Sequence, residues 1–108
     1  MVRYLLLIAA FVPALVLANP VCDIPEYQAE PDIKNNLAQR YPGSYSVQVT
    51  LLNSDIQAYR KLCPTPATPY REQVLRTLID RYYPDLAVIH TLYESETAAY
   101  NRLHGTNY

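Results

Sequence analysis

The chain has 108 residues, half of them apolar, with nine basic and ten acidic side chains and a net charge of −1. That suffices for one small domain, is too apolar for an intrinsically disordered chain and lacks the basic excess of a nucleic-acid-binding domain. Two glycines, two histidines and two cysteines offer no glycine-rich phosphate cradle and no familiar metal-ligand spacing, so neither cofactor nor metal is expected.

Residues 1–18 read as a secretory signal peptide. Arg3 gives the positive charge, an apolar run follows from Tyr4 to Ala18, and small residues Val16 and Ala18 stand at −3 and −1 of a cleavage site. The run is shorter than the ~20 residues of a membrane-spanning helix. The mature chain is therefore expected to start at Asn19, to be extracellular, and to have no membrane span. Export to an oxidising compartment predicts that its two cysteines, Cys22 and Cys63, pair.

Residues 19–30 are expected to be extended, tied down by Cys22. Beyond them the chain repeats itself. Residues 31–63 laid over 72–104, without gaps, agree at 10 of 33 positions, including Leu37/Leu78, Arg40/Arg81, Tyr41/Tyr82, Val47/Val88, Ala58/Ala99, Tyr59/Tyr100 and Leu62/Leu103. The offset of 41 residues points to a duplicated structural unit.

Each unit reads as a helical hairpin, one over 31–63 and one over 69–105, joined by a proline-rich connector at 64–68. The first helix is predicted to start near Pro31, bury Ile33, Leu37 and Tyr41, and stop at Pro42-Gly43. Residues 45–52 are ambiguous. Tyr45, Val47, Val49 and Leu51 alternate like a strand, whereas Val47, Leu51, Ser54, Ala58 and Leu62 form a helical stripe. The second copy, with Glu94-Ser95-Glu96-Thr97-Ala98-Ala99, favours helix. One helix from about Ser44 to Leu62 is therefore expected. Thr68 and Pro69 mark the start of a third helix, whose packed face is Val74, Leu75, Leu78, Ile79 and Tyr82. A fourth runs from about Pro84 to His104 and ends at Gly105. The expected fold is all-α, a small four-helix bundle stapled by one disulfide. Ser54/Ala58 and Ser95/Ala99 suggest that the second and fourth helices cross there, about a pseudo-twofold axis.

No catalytic motif occurs, and no enzyme activity is expected. His90 and Glu94, four residues apart, read as a surface ion pair. The paired arginines Arg40 and Arg81 sit in last helical turns, where dipole compensation explains them. Tyrosine is distinctive, with 11 in the chain and no tryptophan. The repeated tyrosines read as helix-face packing. Tyr70 and Tyr83, beside Arg71 and Arg81, are expected to be exposed and form the candidate interaction surface. Two readings of function follow. The first is a secreted interaction or effector protein, monomeric or homodimeric, that binds an unidentified extracellular protein. The second is a carrier of a small apolar ligand between the hairpins. A membrane-active peptide is disfavoured by the acidic mature chain.

Overall fold

The described residues form four helices: α1 (Glu26–Arg40), α2 (Tyr45–Leu62), α3 (Pro69–Tyr82) and α4 (Leu86–His104). The computed structural model describes residues 19–106. The expected signal peptide, residues 1–18, lies outside the described residues. Among those described there is no strand, in keeping with the expected all-α class.

The first helix departs from expectation. It begins at Glu26, not near Pro31, and the residues before it, expected to be extended over 19–30, instead turn over 20–24, where the Asp23 N–H donates to the Asn19 carbonyl at 3.2 Å and the Ile24 N–H to the Val21 carbonyl at 3.1 Å. Pro25 has extended backbone (φ −64°, ψ 148°) and stands at the N-cap. Its carbonyl accepts the N–H groups of Gln28 and Ala29 at 2.9 and 3.0 Å, and Glu26 places an acidic side chain in the first turn. Pro31 lies inside the helix and cannot donate to the Tyr27 carbonyl. Both residues are exposed, so that carbonyl is freed on a solvent-facing side. Gly43, at φ +79°, takes the left-handed turn that separates α1 from α2.

Residues 45–52 belong to a single helix with the rest of α2. The expected stripe is buried only in its C-terminal half, because Val47 and Ser54 are exposed. Asp55, Ala58, Tyr59 and Leu62 are the buried residues. Thr68 caps α3, its Oγ1 accepting the Arg71 N–H at 3.2 Å. Leu75 is buried there, with Val74, Leu78, Ile79 and Tyr82 packed against the core. Gly105, left-handed at φ +63°, ends α4, and the Thr106 N–H closes onto the Asn101 carbonyl at 3.0 Å.

Helix α1 packs on α2, α3 on α4, and α2 on α4. The α2–α4 contact is not the small-residue crossing expected at Ala58 and Ala99. Ala58 is buried, but Ser54, Ser95 and Ala99 are all exposed. On α4 the buried residues are Leu86, Ile89, Tyr93 and Thr97. The C-terminal half of α2 therefore meets the N-terminal half of α4. Burying Leu86, Ile89 and Tyr93 removes far more apolar surface from water than burying Ala99 would.

The chain before α1 closes the end of α2. Cys22 and Cys63 are disulfide-bonded, with Cα atoms 4.7 Å apart. The Asn19 amide donates to the carbonyls of Leu62 and Thr65 at 3.0 and 2.8 Å, so it caps α2 in trans. The Tyr59 hydroxyl donates to the Ile24 carbonyl at 2.6 Å, and Val21 is fully buried. Outside this seam, Arg60 forks onto Glu26 at 3.1 and 2.6 Å, which joins the far end of α2 to the start of α1.

Two outcomes follow. Replacing Cys22 and Cys63 together by serine should lower stability by about 2–4 kcal/mol, read as a fall in denaturation midpoint. Ala58→Leu should cost about 1–3 kcal/mol by overpacking. Ala99→Leu, on an exposed site, should leave the midpoint within about 0.5 kcal/mol of the parent.

Candidate functional site

The four residues of the expected interaction surface do not form one patch. Tyr70 and Arg71 open α3, whereas Arg81 and Tyr83 lie at and just after its end. At ~1.5 Å per residue the two pairs are separated by roughly 15 Å of helix. Tyr70 is half-buried. It stacks on Tyr100 at 3.8 Å between centroids, and Tyr100 stacks on His104 at 4.1 Å. Its hydroxyl donates to the Glu96 carbonyl at 3.3 Å. Tyr83 is also half-buried. Its hydroxyl donates to the Asp32 carboxylate at 2.6 Å, and burial together with that carboxylate pushes the phenol well above its usual range. Neither tyrosine is therefore a freely exposed contact. Arg81 is exposed.

Arg71 lines an open polar pocket of about 390 Å³ with Tyr93, Glu94, Thr97 and Asn101. Its guanidinium lies 6.0 Å from the Tyr93 ring centroid. The Arg71 Nε and the Tyr93 hydroxyl are both buried without a hydrogen-bond partner. Burial raises the Tyr93 phenol above its ordinary pKa, with Arg71 pulling the other way. His90 and Glu94 pair at 3.3 Å on the surface of α4, as the spacing predicts.

The densest set of ionisable groups surrounds the start of α4. Asp85, its N-cap, makes no capping bond with its own side chain. Asp55 of α2 supplies one instead, its Oδ1 accepting the Ala87 N–H at 2.8 Å. Asp85 accepts from Arg40 at 2.7 Å and from Asn36 at 3.2 Å. Arg40 thus does more than offset a helix dipole: it joins α1 to the head of α4. Burial, the largest influence, raises the Asp55 pKa; the Ala87 bond acts against it, Asp85 adds to it and Arg40 opposes it. Each carboxylate here is matched by a donor, which makes the cluster a clamp between helices.

An apolar concavity lies elsewhere. A groove of about 360 Å³ opens between α1 and α2, lined by Leu37, Ala38, Tyr45, Val49 and Leu52 together with the polar Lys34, Asn35 and Gln48. Tyr45 is 73% exposed and Val49 56%. Sequence reasoning passed over this surface because Tyr45, Val47 and Val49 also alternate like a strand. On a helix, Tyr45, Val49 and Leu52 sit at i, i+4 and i+7, a second apolar stripe. That spacing was the available signal.

Among the described residues no group of three or more His, Cys, Asp or Glu is placed to hold a metal ion, and no helix is long and apolar enough to cross a membrane. Comparison with family models, curated proteins and solved structures finds no match to this chain.

The Asp55 clamp makes a direct prediction. Asp55→Ala leaves the Ala87 N–H without its acceptor and should cost about 1–3 kcal/mol; Asp55→Asn, which keeps an acceptor, should cost less. A carboxyl with a raised folded pKa favours folding fully below its unfolded value, near 4, and loses that contribution as pH rises through the folded value. Denaturant melts between pH 3 and 7 (roughly the range over which carboxyls titrate) should therefore shift in favour of the Asn variant, relative to the parent, as pH increases.

Proposed function

We propose that the protein is exported by a cleaved signal peptide over residues 1–18 and acts outside the cell as a non-enzymatic interaction protein. Its partner protein binds in the groove between α1 and α2. The observation that carries this reading is the exposure of Tyr45 and Val49 beside Leu37, Ala38 and Leu52. A protein of this size gains nothing in stability from leaving an aromatic and a β-branched side chain in water, and contiguous apolar surface of this kind marks contact sites. The disulfide supports export, since such bonds persist in oxidising compartments. We read the chain as two copies of one helical hairpin, over 31–63 and 69–105. The support is the ten identities at constant offset and the packing of α1 on α2 and of α3 on α4.

Carriage of a small apolar ligand between the hairpins has less in its favour. Ala58, Leu62, Leu86 and Ile89 fill the core there, and the apolar groove at Tyr45 opens within the first hairpin.

A photo-crosslinking amino acid in place of Tyr45 tests the proposal in the protein as recovered from the expressing cell. Illumination should yield a covalent adduct with a protein, and Tyr45→Ala should weaken binding of that partner about tenfold, equivalent to ~1.4 kcal/mol, with an unchanged melting temperature. Adducts with small molecules alone, matched by a non-covalent ligand in the native mass spectrum, would replace this reading with the carrier.

A further inference from the structure

The two copies of the repeat bury different faces, and the mismatch follows a rule. In the first copy α2 buries Asp55, Ala58, Tyr59 and Leu62. Their counterparts 41 residues on are Glu96, Ala99, Tyr100 and Leu103. Leu62 is 1% exposed and Leu103 is 83% exposed. In the second copy α4 buries Leu86, Ile89 and Tyr93. Their counterparts are Tyr45, Gln48 and Leu52, the α2 side of the open groove. Leu86 is fully buried, whereas Tyr45 is 73% exposed.

Residues from each half of the α2–α4 contact thus recur at exposed positions, Tyr45 on α2 and Glu96, Ala99 and Leu103 on α4, while Tyr100 stacks on Tyr70 and His104 within the chain. The groove of the first copy is the counterpart of the surface on α4 that receives α2. The exposed end of α4 is the counterpart of the surface on α2 that fills it. The electrostatics agree with this. Within the chain Asp55 caps the second residue of α4, Ala87. The counterpart of Ala87 is Ser46, the second residue of α2, and the counterpart of Asp55 is Glu96. The N-cap of α2, Ser44, makes no side-chain capping bond, and no acidic residue lies in the first turn of α2. A carboxylate brought there is favoured by the N–H groups and dipole of the helix end.

We infer that the groove's occupant is a second copy of this chain, joined head to tail: the C-terminal half of α4 of one molecule, led by Leu103 and Glu96, docks along Tyr45, Val49 and Leu52 of the next. This rests on the proposed reading of the groove as a protein-binding site and names the partner. The contact extends the one already made inside the chain, as stacked repeats do. It is heterologous, so it leaves one free groove and one free α4 end at the extremities of every open assembly.

The test uses the disulfide-bonded protein as recovered from the expressing cell, with two variants at exposed sites, Val49→Glu in the groove and Leu103→Glu on α4. Sedimentation analysis should show the parent growing in mass with concentration. Each variant alone should remain monomeric, its association constant reduced about tenfold or more, with melting temperatures like the parent's. Mixed, the two should form a one-to-one dimer and stop there, because the Leu103→Glu protein retains a working groove and the Val49→Glu protein a working α4. A parent that stays monomeric at every concentration would overturn the inference. So would a mixture that fails to dimerise, since a symmetric contact loses both variants alike. The Tyr45 cross-link separates this failure from that of the broader reading: an adduct with a different protein leaves the groove a binding site for another partner, and no protein adduct removes both.

Discussion

The start of α4 lies against the core, with Leu86 fully buried, and its own N-cap residue makes no side-chain capping bond. Asp55, from the middle of α2, supplies one at Ala87. That one hydrogen bond fixes where α2 crosses α4, because the acceptor can reach only one helical turn. Leu86 and Ile89 then fall against Ala58 and Leu62 in the core. Relieved of capping, Asp85 turns to Arg40 and Asn36 on α1. Tyr83, two residues earlier, anchors on Asp32 of the same helix. The link from α3 into α4 is thereby bound to both α1 and α2.

Asp55 also shows that a carboxylate can be worth burying at a net electrostatic cost. Desolvation outweighs the favourable contacts in its charge balance, so its pKa is raised. What the residue contributes is directional: an acceptor at one place, without which a backbone donor would be stranded. Leucine at this site would pack but could not fix the register of the two helices.

Much of this architecture was legible in the sequence because it is local. Thr68-Pro69, Pro42-Gly43 and Gly105 punctuate the helices through backbone chemistry that needs no neighbour. The first start was misplaced because two prolines, Pro25 and Pro31, both suit the first turn; Glu26 and the carbonyl of Pro25 favour the earlier one. The faces were harder to read. The identities at constant offset suggest equal environments for Ala58 and Ala99, or Leu62 and Leu103, yet a residue's burial depends on what lies opposite, and α2 and α4 meet different neighbours. For the same reason Tyr70 and Tyr83 could not be known to be half-buried: the stacking partner of one and the carboxylate that holds the other are 30 and 51 residues away. The groove was hidden by its own composition, since Tyr45, Val47 and Val49 fit either periodicity.

The covalent geometry has a consequence for how the chain meets a protease. The Cys22–Cys63 bond encloses all of α1 and α2, including the exposed loop at Pro42-Gly43-Ser44. A protease that nicks that loop cuts the backbone without releasing a fragment. The severed helices stay joined through sulfur, and Asp85 and Tyr83 still hold α1 in place. The connector at 64–68 lies outside the loop, and one cut there separates α1 and α2 covalently from α3 and α4. The molecule therefore tolerates a nick in its first half far better than one in its middle.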